Sequence, residues 1–508
     1  MSEAIIEIKH ITKRFPGVVA NDNISLQILQ GEVFALLGEN GAGKSTLASI
    51  LFGMYQPDSG EIVLRSETTV ITSPARAVEL DIGMVHQHFK LVSDYSVTEN
   101  VILGSEPIKQ NFGPLSMVDI KAAEKRIQSL IDQYDFGLRA TDIIEDLNVS
   151  SQQRVEILKM LYRDAEILIF DEPTAMLTPQ EIERLLDIIS LLQKSGKTII
   201  LISHKLDEIK QIADRCAIMN QGKLIGVFDV RSTSTQVMAN LMVGRELSLS
   251  LDKTLPAYGQ AILEVENLIV KDALNVTRIN DISFRIRSGE VLALAGVANN
   301  GQIELADAIA GLVPHTGVIR LNGKDITTAS VRKRIEAGIG YIPEDRQGVG
   351  LLLDMDVMEN VISKNYYTQA FSKGLFIDSE ASTRHAEDVI IRYDVRCADG
   401  SNTIVRSMSG GNQQKLLIGR EIDSDSDLVI FVQPTRGLDI GATMAVRQRI
   451  IDERDKGKAV LLISLELDEV MTVADTIGVI YNGRLTNIVQ ADAISIEELG
   501  EYMLGVRQ

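Results

Sequence analysis

The chain has 508 residues, 45% hydrophobic and 24% charged, with a formal net charge of −19, which supports roughly two to four globular domains. The acidic balance and the lack of Trp exclude a broad basic footprint for nucleic acid and a platform for stacking bases. Two cysteines, Cys216 and Cys397, are too few for a disulfide framework and fit packing in a reducing, cytoplasmic compartment.

The start, Met1-Ser2-Glu3-Ala4, has neither the basic region nor the apolar run of a secretion signal. No apolar stretch reaches the roughly 18 residues of a spanning helix. A short strand is expected at 32–37, followed by Gly38-Glu39-Asn40-Gly41-Ala42-Gly43-Lys44-Ser45-Thr46 and then a helix. Gly, four residues, then Gly-Lys-Ser between strand and helix is a phosphate loop. Its glycines turn backbone N–H groups toward phosphates, Lys44 reaches the terminal phosphates, and Ser45 offers a hydroxyl to Mg2+.

Further on, Met84-Val85-His86-Gln87-His88-Phe89 supplies Gln87 as a ligand of Mg2+ and a phosphate sensor. No carboxylate or Cys cluster accompanies His86 and His88 to make a separate metal site. A helix-rich stretch, about 115–165, precedes the buried strand 167–170, which ends in Asp171-Glu172. Asp171 is placed to hold Mg2+, and Glu172 to polarise an attacking water. A second buried strand, 198–203, leads to His204, a γ-phosphate sensor 33 residues beyond Asp171. Buried apolar strands alternating with helices indicate an α/β parallel sheet.

The chain then repeats itself. Gly31-Glu32-Val33 recurs as Gly289-Glu290-Val291 and Gly38 as Gly296, both 258 residues on; Leu147 and Met408, Asp171 and Val432, and His204 and Leu465 are each 261 apart. The expected domains are 1–245 and 261–508, joined by a linker, 246–260. In the second copy Gln302 and Ile303 stand where Lys44 and Ser45 stood, and Val432 and Gln433 replace Asp171 and Glu172.

Met408-Ser409-Gly410-Gly411-Asn412-Gln413-Gln414-Lys415 resembles the Leu-Ser-Gly-Gly-Gln signature of ATP-binding cassette (ABC) proteins. With the phosphate loop and the Asp-Glu strand end, it makes nearly the whole chain resemble an ABC transporter ATPase subunit with two fused cassettes. The resemblance implies two tandem P-loop ATPase domains, each a RecA-like core with a helical subdomain. Five segments carry a finer likeness to the purine-nucleoside and simple-sugar branch that works with Bmp-type lipoproteins. They are 83–89, 153–159, 177–181, 341–346 and 433–439.

By this resemblance Phe15 stacks on adenine, and Ser409, Gly410, Gly411 and Asp439 serve a nucleotide held by Lys44 in a composite site. Every part of that site is intact. The opposite site would combine Gln302, Ile303, Val432, Gln433 and Leu465 with Asn148-Val149-Ser150-Ser151-Gln152 and Thr178, and every part of it is altered. The implied protein hydrolyses ATP with Mg2+ on the cytoplasmic face of the cell membrane. Its implied partners are two integral-membrane permease subunits and an extracytoplasmic solute-binding protein, with the segment after Gln87 and Glu344-Asp345-Arg346 as docking surfaces. The solute is a nucleoside, or else a monosaccharide of the ribose or galactose type. A twin-cassette translation factor is the distant alternative; it would keep both ATP sites and carry a long charged linker.

Overall fold

A computed structural model describes residues 3–16, 18–85, 90–110, 117–174, 177, 179–203, 205–244, 250–272, 274–297, 300–374, 376–503 and 505. The chain divides into two units, Met1–Ser248 and Leu249–Gln508. No described helix is long and apolar enough to cross a membrane.

Each unit has the same plan. In the first, a six-stranded sheet runs Lys223–Asp229, Arg215–Asn220, Val33–Leu37, Thr198–Ile202, Ile167–Asp171, Ile82–Val85. All neighbours are parallel except the edge pair Arg215–Asn220 and Lys223–Asp229. In the second, the order is Arg484–Gln490, Thr476–Tyr481, Glu290–Ala295, Ala459–Ile463, Leu428–Val432, Ile339–Ile342. The strand that enters this sheet first in sequence lies between two of the latest, so the sheet reverses its winding there. Such switch points leave a crevice at the carboxyl ends of the strands.

The strands read as continuous apolar runs because both faces are covered. In Glu290–Ala295, Leu292 and Leu294 join one apolar cluster, while Val291, Ala293 and Ala295 join another. That alternation is the period of a pleated strand packed on both sides.

Each unit also has a second, antiparallel sheet of four strands. In the first unit it runs Val18–Leu29, Ala4–Phe15, Ser59–Leu64, Glu67–Thr69. The helix Lys44–Leu51 packs between the two sheets, with Leu47, Ala48, Ile50 and Leu51 buried against Ile6, Ile8, Phe34 and Leu36. The helix-rich stretches contain Ile120–Gln133 and Val149–Tyr162 in one unit and Ser379–Arg392 and Gly410–Asp423 in the other.

Of the stretch expected as a linker, residues 250–260 lie along the second unit. Arg454, 1% exposed in its side chain, donates to Asp475 Oδ1 (2.8 Å) and to the Thr254 carbonyl (2.9 Å). Lys253 donates to the Ala474 carbonyl (2.6 Å), and Arg287 stacks 3.7 Å over the Tyr258 ring. In the first unit the position of Arg454 is held by Gln193, which hydrogen-bonds Asp214 at 2.7 Å.

Candidate functional site

The sheet register places the groups of the first unit at one level. Leu36 pairs with Ile202, and Ile202 pairs with Asp171. The phosphate loop and the Asp171-Glu172 corner therefore leave the sheet at one level, from strands separated only by Thr198–Ile202. At Gly43 the loop turns into the helix Lys44–Leu51 with φ +98°. An added Cβ there would collide with the Ala20 carbonyl, so both conformation and space require glycine. Ala42 N–H donates to the Glu39 carbonyl (3.1 Å), and Gly222 N–H donates to the Ala42 carbonyl (3.2 Å), which pins the loop to the edge hairpin. Gly38 is buried, while Asn40 and Gly41 are exposed at the loop crest.

Lys44 folds back into the loop, where it is 4% exposed. Its Nζ donates to the carbonyls of Gly38 (2.8 Å) and Glu39 (2.9 Å). The cation is thus placed inside a ring of backbone groups at a helix N-terminus, an arrangement suited to anionic oxygens. Ser45 Oγ donates to Asp171 Oδ1 at 3.1 Å, and Thr46 follows half-buried on the same turn. Burial raises the Asp171 pKa above the usual carboxylate value; the Ser45 hydroxyl opposes this, the Glu172 charge adds to it, and Lys44 opposes it. A hydroxyl and a carboxylate this close form a hard-oxygen pair that fits Mg2+. Glu172 takes φ +47°, and its N–H donates to the Ile202 carbonyl (3.0 Å).

Gln87 and His204 lie outside the described residues, as does Thr178. Phe15 ends the strand Ala4–Phe15, and Tyr55 packs edge-on against its ring at 5.3 Å between centroids. The Lys13 ammonium lies 5.6 Å from the same ring centre. No sequence signal singles out Tyr55.

The second unit keeps the frame and changes the chemistry. Gly301 turns into the helix Gln302–Ala310 with φ +101°. Gln302, also 4% exposed, sends Nε2 to the Val297 carbonyl at 3.0 Å. A neutral amide therefore fills the place of the Lys44 ammonium. Val432 pairs with Ile463, which pairs with Leu294, so Val432 holds the register position of Asp171 and is fully buried. Gln433 reproduces the Glu172 backbone, with φ +50° and N–H to the Ile463 carbonyl (2.7 Å). Shape is preserved, while the cation, hydroxyl and both carboxylates are gone.

The signature segment shows the reverse. Ser409 caps the helix Gly410–Asp423, accepting from Asn412 N (3.5 Å) and Nδ2 (2.9 Å). Asp439 caps Ile440–Asp455, accepting from Ala442 N at 2.7 Å. Its Oδ2 lies 3.7 Å from where a Gly411 Cβ would be, so the two segments are neighbours. In the first unit Asn148, read as a defect in the sequence, caps Val149–Tyr162 by accepting from Ser151 N at 2.8 Å. Asn is among the strongest N-caps, so composition alone carried that signal. Capping therefore survives at both positions; the glycines survive at one.

The ABC transporter family model matches residues 21–175 and 279–436. The guanosine import ATP-binding protein NupO of Bacillus subtilis (strain 168) is 48% identical over 507 residues, spanning 100% of this chain and 98% of that protein. The nucleoside import ATP-binding protein NupA of Lactococcus lactis subsp. cremoris (strain MG1363) is 46% identical over 505 residues, with 99% of each covered. Among solved structures, the archaeal ribosome recycling factor aABCE1, in complex with ribosomal stalk protein aP1, matches with a TM-score of 0.62. That match is 17% identical and covers 98% of this chain and 92% of the other. At that identity the likeness concerns the fold.

Proposed function

The chain belongs to the ABC transporter family, and from that premise we propose that it is the ATP-hydrolysing subunit of a nucleoside importer. Full-length similarity to two nucleoside import ATP-binding proteins supports the solute class. The observation that carries the mechanism is the contrast between two loops of one shape. Lys44, Ser45, Asp171 and Glu172 form an equipped site, and Gln302, Ile303, Val432 and Gln433 an unequipped one.

The first unit's loop holds the triphosphate. Lys44 leaves the Gly38 and Glu39 carbonyls to meet the terminal phosphates, a stronger charge-assisted pairing. Ser45, Asp171 and Gln87 would hold Mg2+, which would neutralise charge on the phosphates. Glu172 orients and polarises water for in-line attack on the γ-phosphate, and His204 and Gln87 sense that phosphate. Phe15, buttressed by Tyr55, stacks on adenine. Ser409, Gly410, Gly411 and Asp439 complete the site from a second-half cassette. ATP binding closes the cassettes and hydrolysis reopens them.

The partners are two permease subunits, which hold this protein peripherally on the cytoplasmic face of the membrane, and an extracytoplasmic solute-binding protein. Affinity purification from solubilised membranes tests the assembly, and uptake of labelled guanosine and ribose tests the solute. Permeases should co-purify, and guanosine uptake should depend on Glu172. Recovery with ribosomes and without permeases would refute the importer reading.

A further inference from the structure

Gly410 opens the signature helix without a left-handed backbone, so conformation does not explain its glycine. Space does. A Cβ at Gly410 would lie 2.6 Å from Arg346 Nη2. The guanidinium lies beside the first turn of the helix, with Cζ 3.2 Å from the same point. Its Nη1 donates to the Arg436 carbonyl at 3.3 Å, in the loop that runs to Asp439. One planar group thus lies against both the segment headed by Ser409 and the loop that leads into Asp439.

Arg346 itself is anchored. Asp345 Oδ1 accepts from Gln347 N (3.0 Å) and Gly348 N (2.8 Å), and the Asp345 carbonyl accepts from Val349 N (3.1 Å) and Gly350 N (3.0 Å). Glu344 pairs with the Arg436 side chain. Gln347 Nε2 donates to Gln413 Oε1 (2.9 Å) inside the signature helix, and Gln413 Nε2 donates to the Val405 carbonyl (3.0 Å). Burial lowers the Arg346 pKa, against the opposing charge of Asp345, so the guanidinium is held where water solvates it poorly. A half-buried cation beside the positive end of a helix is unfavourable by itself, which argues that its placement serves something else.

We propose that Arg346 is a positioning residue for ATP hydrolysis, a strut whose two ends set Ser409-Gly410-Gly411 and Asp439 in register with each other. The fork geometry of arginine suits that task, since lysine offers one point of contact where two are used. The strut also joins the segment 344–350 to the signature, so a movement of that segment reaches the groups that face the nucleotide. The inference rests on the proposal that Ser409 serves the nucleotide bound by Lys44.

The test uses the purified full-length chain with the variants R346M, R346K, S409A and R346M/S409A. Readouts are kcat and KM for ATP, ATP affinity and Tm. R346M should lower kcat about tenfold, as expected when catalytic groups are misplaced by a fraction of an ångström. ATP affinity should stay within about twofold, because the first unit's loop is untouched. In the double variant the two losses should not multiply, which marks residues acting as one unit. Wild-type kcat in R346M, or fully multiplicative losses, overturns the proposal. If R346M unfolds, R346K decides: a kcat loss of about threefold or more supports the strut, and wild-type kcat refutes it. A silent S409A sinks the composite-site reading and this inference together, whereas an impaired S409A beside a silent R346M sinks this inference alone.

Discussion

Lys44→Ala and Gln302→Ala are equivalent truncations at the heads of two matching helices, and their effects should differ sharply. The Lys44 ammonium is buried and already holds two acceptors at 2.8 and 2.9 Å. Phosphate oxygens would replace carbonyls in the same place, and hydrogen bonds to charged groups contribute about 1.5–3 kcal/mol each. Losing two costs about 3–6 kcal/mol, which corresponds to roughly 10²- to 10⁴-fold in turnover. Gln302 contributes one neutral bond at 3.0 Å, worth about 1 kcal/mol to the stability of its own loop. Phosphate release by the purified chain should therefore fall below about 1% in K44A and stay within about twofold in Q302A. Thermal unfolding would control for folding. Equal losses in the two variants would refute the asymmetry between the units.

Three other perturbations follow from the geometry. Glu172→Gln should fold normally, because Gln433 already adopts that backbone with the same type of strand-to-strand bond, and should lower kcat at least about 10²-fold while ATP binding persists. Asp171 has its pKa raised by burial, so its stabilising share is present below the ordinary value of 3.8 and is lost as pH rises through the raised value. Asp171→Asn should remove that slope, giving a nucleotide-free chain more resistant to urea at neutral pH and inactive as an ATPase; a less stable variant would contradict this. Arg454→Met leaves Asp475 buried with Lys253 as its remaining cation, and should destabilise the second unit by about 3–5 kcal/mol in urea unfolding. A loss under about 1 kcal/mol would show that the buried cluster is dispensable.

The parts of the site that were legible in sequence are those where chemistry and local structure coincide. Gly38 through Ser45 specifies both a backbone shape and a ligand, and the strand 167–170 announces itself by four apolar residues before two carboxylates. The repeat register also proved structural: Val432 takes the place of Asp171 because Ile463 takes the place of Ile202 in the sheet. What the sequence hid were contacts between segments far apart in the chain. The Arg346–Gly410 contact spans 64 positions, and neither residue marks the other. Tyr55 beside Phe15 is another case, an aromatic in a loop with no pattern around it. The antiparallel sheet was obscured because repeated register shifts break the alternation that would mark its strands. Asn148 illustrates a different limit: its replacement of Ser is plain in the sequence, whereas its retention of the helix cap shows only in the structure.

The docking of residues 250–260 also decides where the halves can be cut. Arg454 and Asp475 are shut away from water partly by Thr254 and Lys253, so a fragment beginning at Ala261 would uncover a charged cluster built to be closed. A fragment retaining residue 250 onward keeps it sealed. At the matching position of the first half the neutral Gln193 takes the place of the buried cation. Shuffling halves between related proteins should therefore carry this strap with the second half, and a swap joined at the first strand would pair Arg454 with a foreign segment.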